Sequence, residues 1–221
     1  MTTAAFFDVD GTLVASNIVR YAVALRTAGR PAPARAVWTA GYLPRVGYFL
    51  ALDAVSRAAF QRALYRGYRH WRPDTLRTAA QTLFRDHVEP RIYPQGAARV
   101  AAHQQRGDRV VLVTGSLEPI VAPLAERLGV TDVLAARLEE EGGEYTGELA
   151  GGPLAGADKA RAISAFAERE GLDLARACGY ADSLDDVPML EVVGLPAVVN
   201  PSGRLRRLAT ARGWDIYRWS R

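Results

Sequence analysis

Asp8-Val9-Asp10-Gly11-Thr12-Leu13 sets two carboxylates two residues apart where a short apolar segment breaks into a glycine turn. Side chains alternate along a strand, so Asp8 and Asp10 share a side and can share one ligand, and so acidic a pair normally needs a cation. The same spacing also fits an ordinary strand end carrying two solvated aspartates. Gly11 allows close backbone approach to a ligand, and Thr12 adds a hydroxyl and an amide. Further reactive side chains recur downstream in Thr114-Gly115-Ser116, at Lys159, in Asp182-Ser183-Leu184-Asp185-Asp186 and in Asn200-Pro201. Lys159 is the only lysine in an arginine-rich chain.

The elements that must position these residues are legible from pattern. Ala4 to Phe7 is short, apolar and turn-bounded, which predicts a buried parallel strand. Arg109 to Val113 predicts a strand ending at Thr114-Gly115-Ser116, with Pro119 in the first turn of the next helix. Asp132 to Ala136 begins another strand, Glu141-Gly142-Gly143-Glu144 reads as a hairpin turn, and Ala157 to Glu170 as a helix. Residues 177–181, including Cys178, read as a buried strand leading into Asp182, and Ala197 to Val199 as one leading into Asn200. Strands alternating with helices predict an α/β fold with a mostly parallel sheet. The polar residues sit where strands stop, the edge at which open α/β sheets bind ligands.

Residues 17–91 differ from the rest. Helical spacing in Ala54-Val55-Ala58-Ala59-Arg62-Ala63 and in Leu76-Ala79-Ala80-Leu83-Phe84, punctuated at Gly29-Arg30-Pro31, Gly47 and Arg72-Pro73-Asp74, predicts about four helices inserted after the first strand. This segment carries 13 arginines against 4 acids, a net of +9, while the remainder of the chain nets −5. Such charge could attract a phosphorylated substrate, an anionic membrane surface or nucleic acid, or simply form a solvated face. No standard nucleic-acid-binding pattern appears, so no nucleic-acid partner is expected.

At 221 residues, 49% hydrophobic and 24% charged, the chain has the composition of a folded protein with one main domain and a smaller one. A single cysteine excludes a disulfide framework and a cysteine-based metal site, which suits a reducing cytoplasm. The N-terminus enters the first strand almost at once, so no secretory signal is expected. The most apolar window, Ala36 to Val55, contains Pro44, Arg45, Asp53 and two glycines and does not read as a membrane span.

Asp8/Asp10, Thr114-Gly115, Lys159 and the Asp182 loop, in this order, resemble the four motifs of the haloacid dehalogenase (HAD) superfamily of phosphohydrolases. The helical insertion and the run Tyr180-Ala181-Asp182-Ser183-Leu184-Asp185-Asp186-Val187-Pro188-Met189-Leu190 are similar to subfamily IB, the phosphoserine phosphatase-like group. The resemblance implies a Rossmann-like core at 1–16 and 92–221 with an all-helical cap at 17–91. It implies a phosphatase for small phosphate monoesters, with Asp8 as nucleophile and Asp10 as general acid and base. Thr114 and the Gly115 amide would donate to the transferring phosphoryl group, and Lys159 would place a charge on nucleophile and phosphate.

Mg²⁺ is the implied cofactor, held by Asp8, the backbone carbonyl of Asp10 and Asp182, with Asp186 supporting the ligands. Asp185 reads equally well as a helix-start acid. Gly11, Asn17 and Ser116, and cap arginines such as Arg57, Arg62, Arg66 and Arg69, are candidate phosphate or substrate contacts. Phosphoserine phosphatases carry Ser in the turn where this chain has Gly11, and an acid nine positions after the nucleophile where it has Asn17. A neutral amide cannot pair with a substrate amine, so phosphoserine is one alternative substrate rather than the leading one. Phosphotransfer, or a non-catalytic module binding an anionic partner or membrane surface through the basic cap, are further alternatives. The cap aromatics Trp38, Tyr42, Tyr48, Phe49 and Tyr65 fit a helical core, or less readily an apolar leaving group. A small phosphorylated metabolite is the expected partner, and peripheral membrane contact is the less favoured use of the basic segment. Oligomeric state is not legible.

Overall fold

A computed structural model of the chain describes residues 3–221. Six parallel strands form one sheet in the order β3-β2-β1-β6-β7-β8. They are β1 (Ala4–Phe7), β2 (Arg109–Leu117), β3 (Asp132–Ala136), β6 (Cys178–Ala181), β7 (Leu195–Val199) and β8 (Asp215–Tyr217). The separate antiparallel hairpin β4 (Leu138–Glu141) and β5 (Glu144–Leu149) turns at Gly142-Gly143, as its sequence predicts. Because β1 pairs with β2 on one side and β6 on the other, both faces of its four residues are covered. Ala5 and Phe7 enter one buried cluster with Leu112 and Tyr180, and Ala4 and Phe6 enter a second with Val111 and Ile163. This explains why β1 is continuously apolar rather than alternating. Full burial of a side chain the size of Phe6 or Phe7 is worth about 1.5–3 kcal/mol.

Between β1 and β2 the chain makes α1 (Ile18–Thr27), α2 (Ala32–Val55), α3 (Arg57–Tyr65), α4 (Pro73–Leu83) and α5 (Pro94–Gln105). The remaining helices are α6 (Glu118–Leu128), α7 (Ala157–Glu170), α8 (Val187–Glu191) and α9 (Gly203–Arg212). No helix among the described residues is long and apolar enough to cross a membrane.

Four local expectations need correction. The predicted helix through residues 54–63 is broken at Ser56, whose extended backbone ends α2 and whose side chain accepts from the Ala59 amide to start α3. Gly47 does not punctuate the chain but lies inside α2 with Pro44, since the helix continues for 24 residues. β2 does not stop at Thr114; it continues to Leu117 with an irregular register against β3. Cys178 is half-buried near the start of β6 rather than enclosed.

Residues 17–91 meet the hairpin through backbone bonds, His70 N–H to the Tyr145 carbonyl (2.9 Å) and Tyr145 N–H to the Trp71 carbonyl (2.8 Å). The aromatics of residues 17–91 divide: Phe49 and Tyr65 are fully buried core, Trp38 and Tyr42 are half-buried, and Tyr48 is exposed.

Candidate active site

The C-terminal ends of β1 and β6 bring Asp8, Asp10 and Asp182 together, and the first turn of α7 delivers Lys159 from the other side of the cleft. Lys159 Nζ lies 2.6 Å from Asp8 Oδ1 and 2.6 Å from Asp186 Oδ1, so one ammonium bridges two buried carboxylates. Thr12 donates to the other Asp8 oxygen (3.0 Å) and reaches Asp182 Oδ1 at 3.3 Å. Ser183 donates to Asp186 Oδ2 (2.7 Å). Asp10 has different company. Its Oδ2 accepts from Ser116 (2.6 Å) and Thr114 (3.2 Å), while its Oδ1 is buried without a hydrogen-bond partner.

Charge is unevenly balanced here. Burial raises the Asp8 carboxyl well above the usual carboxylate range; the Lys159 ammonium opposes this, and Asp186, Asp182 and Asp10 reinforce it. Asp10 is raised by burial against the Ser116 hydrogen bond, and Tyr21 lies beside it without reaching hydrogen-bond geometry. Asp182 is pushed up to about 7, by burial first and then by Asp186. Burial alone would lower Lys159, but Asp186 and Asp8 outweigh it and hold the ammonium charged. One lysine does not neutralise this many acids. Carboxylate oxygens of Asp8, Asp182 and Asp186 lie within 4.8 Å of one another, an all-oxygen donor set suited to a hard divalent cation.

Gly11 makes this approach possible. Its backbone has φ +92°, and a Cβ there would fall 2.2 Å from Asp182 Oδ2. Gly115 is similarly constrained, since a Cβ would meet Gln61 Nε2 at 2.0 Å. Both glycines line a cleft of about 260 Å³ that also includes Asn17, Arg57, Gln61 and Asp185.

Several expected contacts are placed differently. Ser116 is fully buried and donates to Asp10 instead of facing the cleft, because continuation of β2 turns it inward. Thr114 is likewise fully buried, its hydroxyl engaged by Asp10 and by the Ser116 amide. Asp185 stands in the helical turn Leu184–Asp186 that leads into α8, as a helix-start acid does, and it also accepts from the Gly156 amide (3.0 Å), which fixes the loop before α7. Asn17 caps α1 through its Oδ1, which accepts from the Arg20 amide (3.0 Å). Of the four named cap arginines, Arg57 lines the cleft, whereas Arg66 pairs with Glu148. Asn200 ties down the C-terminal segment through the Trp219 backbone.

Sequence reasoning passes over Gln61 and assigns no polar contact to Tyr65 or Ser183. Gln61 donates to the Leu154 carbonyl (3.3 Å) and accepts from the Leu154 amide (3.1 Å), and the Tyr65 hydroxyl donates to the Gly115 carbonyl (2.6 Å). Both sit in an unremarkable helical repeat. Nothing local in the sequence marks them.

The family model for haloacid dehalogenase-like hydrolases matches residues 5–191. The chain belongs to this family. The hydrolase is 36% identical over 220 residues to a probable phosphatase of Mycobacterium tuberculosis, covering 99% of this chain and 76% of that protein. It is 35% identical over 224 residues to a phosphoserine phosphatase of Mycobacterium tuberculosis, covering 98% and 70% of the two chains. Its structure is similar, with a TM-score of 0.82, 29% identity and 98% coverage of both chains, to a protein of unknown function from Bordetella pertussis Tohama I.

Proposed function

We propose that this HAD hydrolase is a Mg²⁺-dependent phosphatase that cleaves a small phosphate monoester through an aspartyl-phosphate on Asp8. The observation that carries this reading is the unequal environment of two acids from one strand end: Asp8 touches the Lys159 ammonium, while Asp10 contacts the hydroxyls of Ser116 and Thr114. Two carboxylates in different settings can take different protonation states and different roles. Burial raises both acids: at Asp10 this favours the neutral form that a proton donor requires, whereas at Asp8 the Lys159 ammonium in direct contact opposes it, as an ionised nucleophile requires.

In the first step an Asp8 oxygen attacks phosphorus and the ester P–O bond breaks as Asp10 transfers its proton to the departing alkoxide. In the second, ionised Asp10 takes a proton from water as that water attacks phosphorus; the bond to Asp8 breaks and phosphate leaves. Lys159 offsets negative charge on nucleophile and phosphate throughout, and Thr114 with the Gly115 amide would donate to the transferring group once substrate displaces present contacts. Asp8, Asp182 and the Asp10 carbonyl would hold Mg²⁺, with Asp186 orienting them, and the ion would lower repulsion between carboxylate and phosphate.

Residues 17–91 act in this reading as a cap on a core of residues 1–16 and 92–221, closing over a phosphorylated metabolite in the cytoplasm. The cleft volume of about 260 Å³ suits a small ester. Phosphoserine is a second candidate, favoured by the name of one relative. Asn17 supplies no carboxylate for its amine.

A panel of phosphate monoesters including phosphoserine, assayed with Mg²⁺ and with chelator, tests the proposal. Hydrolysis should depend on the metal and fall by at least about 1000-fold in Asp8→Asn. Equal turnover by the two proteins would overturn it.

A further inference from the structure

Helix α2 has no partner for half of its circumference. Of the large hydrophobic side chains that are exposed among the described residues, Val37, Leu43, Tyr48, Leu50 and Val55 all belong to this one helix, and each is between 56% and 87% exposed. On a helix, Val37, Tyr48 and Val55 fall along one line and Leu43 and Leu50 along another roughly 140° away. Every residue between those lines is Ala, Gly or Pro, and every one is exposed. The opposite side of α2 is also apolar: Phe49 is fully buried against Phe60, and Trp38 and Tyr42 stack beside it. An apolar helix face of this width is normally covered. Its uncovered face is about 36 Å long at the standard helical rise and forms a contiguous patch of a kind that marks interaction surfaces.

The surrounding charge selects the occupant. Arg35 and Arg45 flank the apolar face and are exposed, and the single acid on α2, Asp53, falls on the same line of the helix as Arg35 and is paired with Arg57 at 3.1 Å. Beyond the helix, residues 17–91 net +9. Docking α2 against α2 of a second copy would bring two strongly positive surfaces together. An anionic bilayer offers acyl chains for the apolar arc and phosphate headgroups for the arginines. The helix does not meet the requirements for crossing a membrane, so it would lie in the interfacial plane.

We propose that α2 is a peripheral membrane-binding helix that seats this protein on anionic phospholipid. Apolar burial supplies adhesion, and arginine–headgroup attraction adds to it. Through Ser56 the helix runs directly into α3, whose Arg57 and Gln61 line the catalytic cleft. Lipid seating therefore fixes the element that forms one wall of the site. The inference stands apart from the phosphatase reading, because it uses no residue of the acid cluster.

Vesicle co-sedimentation of the full chain, with phosphatidylglycerol/phosphatidylcholine and pure phosphatidylcholine vesicles at low and high salt, tests it. The protein should partition onto the anionic vesicles, several-fold less onto neutral ones, and less as salt rises. Leu43→Asp/Leu50→Asp and Arg35→Gln/Arg45→Gln should each reduce partitioning by about tenfold or more, because apolar insertion and headgroup attraction both contribute. Circular dichroism and thermal melting verify that each variant is folded, so that an unfolded variant is replaced by the single change Val55→Asp at the exposed helix end. Salt-independent absence of binding by the wild type overturns the proposal. A dimer in analytical ultracentrifugation that Leu43→Asp/Leu50→Asp converts to monomer, without vesicle binding by either protein, overturns it in favour of a second copy.

Discussion

Asp182 registers most directly the crowding of acids around one ammonium. Its carboxyl is shifted from 3.8 to about 7, with burial as the main cause and Asp186 next. Between those values the folded protein holds a proton that the unfolded chain has released, so the Asp182 contribution to stability falls as pH rises through the window from about 4 to 7. In metal-free buffer, wild type should lose stability relative to Asp182→Asn across that range, as measured by denaturant unfolding at several pH values. Parallel curves would contradict the charge balance described for the site. Gly11 makes a second residue-scale prediction. With φ +92° and no room for a Cβ beside Asp182, Gly11→Ala should lower activity by more than about tenfold, the combined result of backbone strain and a displaced carboxylate. Steady-state kinetics together with a melting curve separate lost geometry from lost folding.

At the scale of elements, α3 buries Phe60, Leu64 and Tyr65 in one core cluster with residues of the sheet and the hairpin, and a few specific bonds add to that apolar contact. Gln61 reads both backbone groups of Leu154, and Tyr65 reads the Gly115 carbonyl. Gln61→Ala should therefore reduce kcat/KM by up to about 30-fold, since two hydrogen bonds at about 1 kcal/mol each hold this wall of the cleft. Gly115→Ala would drive its new methyl into the Gln61 carboxamide and should cost much less in a Gln61→Ala background. A double-mutant cycle in kcat/KM measures that coupling; strict additivity would show that the contact does not bear on catalysis.

The same scale explains what the sequence revealed. Acidic and hydroxyl residues at the ends of short apolar runs were readable because strand alternation and the parallel-sheet pattern are local. Asp8, Asp10 and Asp182 could be grouped on that basis, and Lys159 through the family resemblance. The interruption at Ser56 was hidden in an alanine-rich periodic run, where one serine is weak evidence for a cap. Ser116 reads as a cleft contact when the strand is expected to end at Thr114-Gly115-Ser116; its continuation to Leu117 turns the Ser116 hydroxyl onto Asp10. Gln61 and Tyr65 depend on contacts separated by 93 and 50 residues, which helical periodicity does not encode.

At the scale of the whole molecule, the six-stranded sheet supplies a rigid edge, and the basic helical segment supplies both a wall of the cleft and an exposed apolar helix. The acid cluster is a local excess of negative charge within a chain of net charge +4. Binding of a divalent cation should consequently stabilise the entire fold: at 100 times Kd the gain is about 2.7 kcal/mol, equivalent to roughly 5–10 °C in Tm for a chain of this size. A Mg²⁺ titration followed by calorimetry should show Tm rising with the logarithm of the Mg²⁺ concentration above Kd, a rise that Asp182→Asn removes. The central claim is that Asp8 is covalently phosphorylated during turnover. Quenching Asp10→Asn during reaction with an activated aryl phosphate, reducing with borohydride and sequencing peptides by mass spectrometry tests this directly. The account predicts homoserine in place of Asp8, dependent on substrate and absent without it. An unmodified Asp8 alongside a trapped phosphoryl group on any other residue would contradict it.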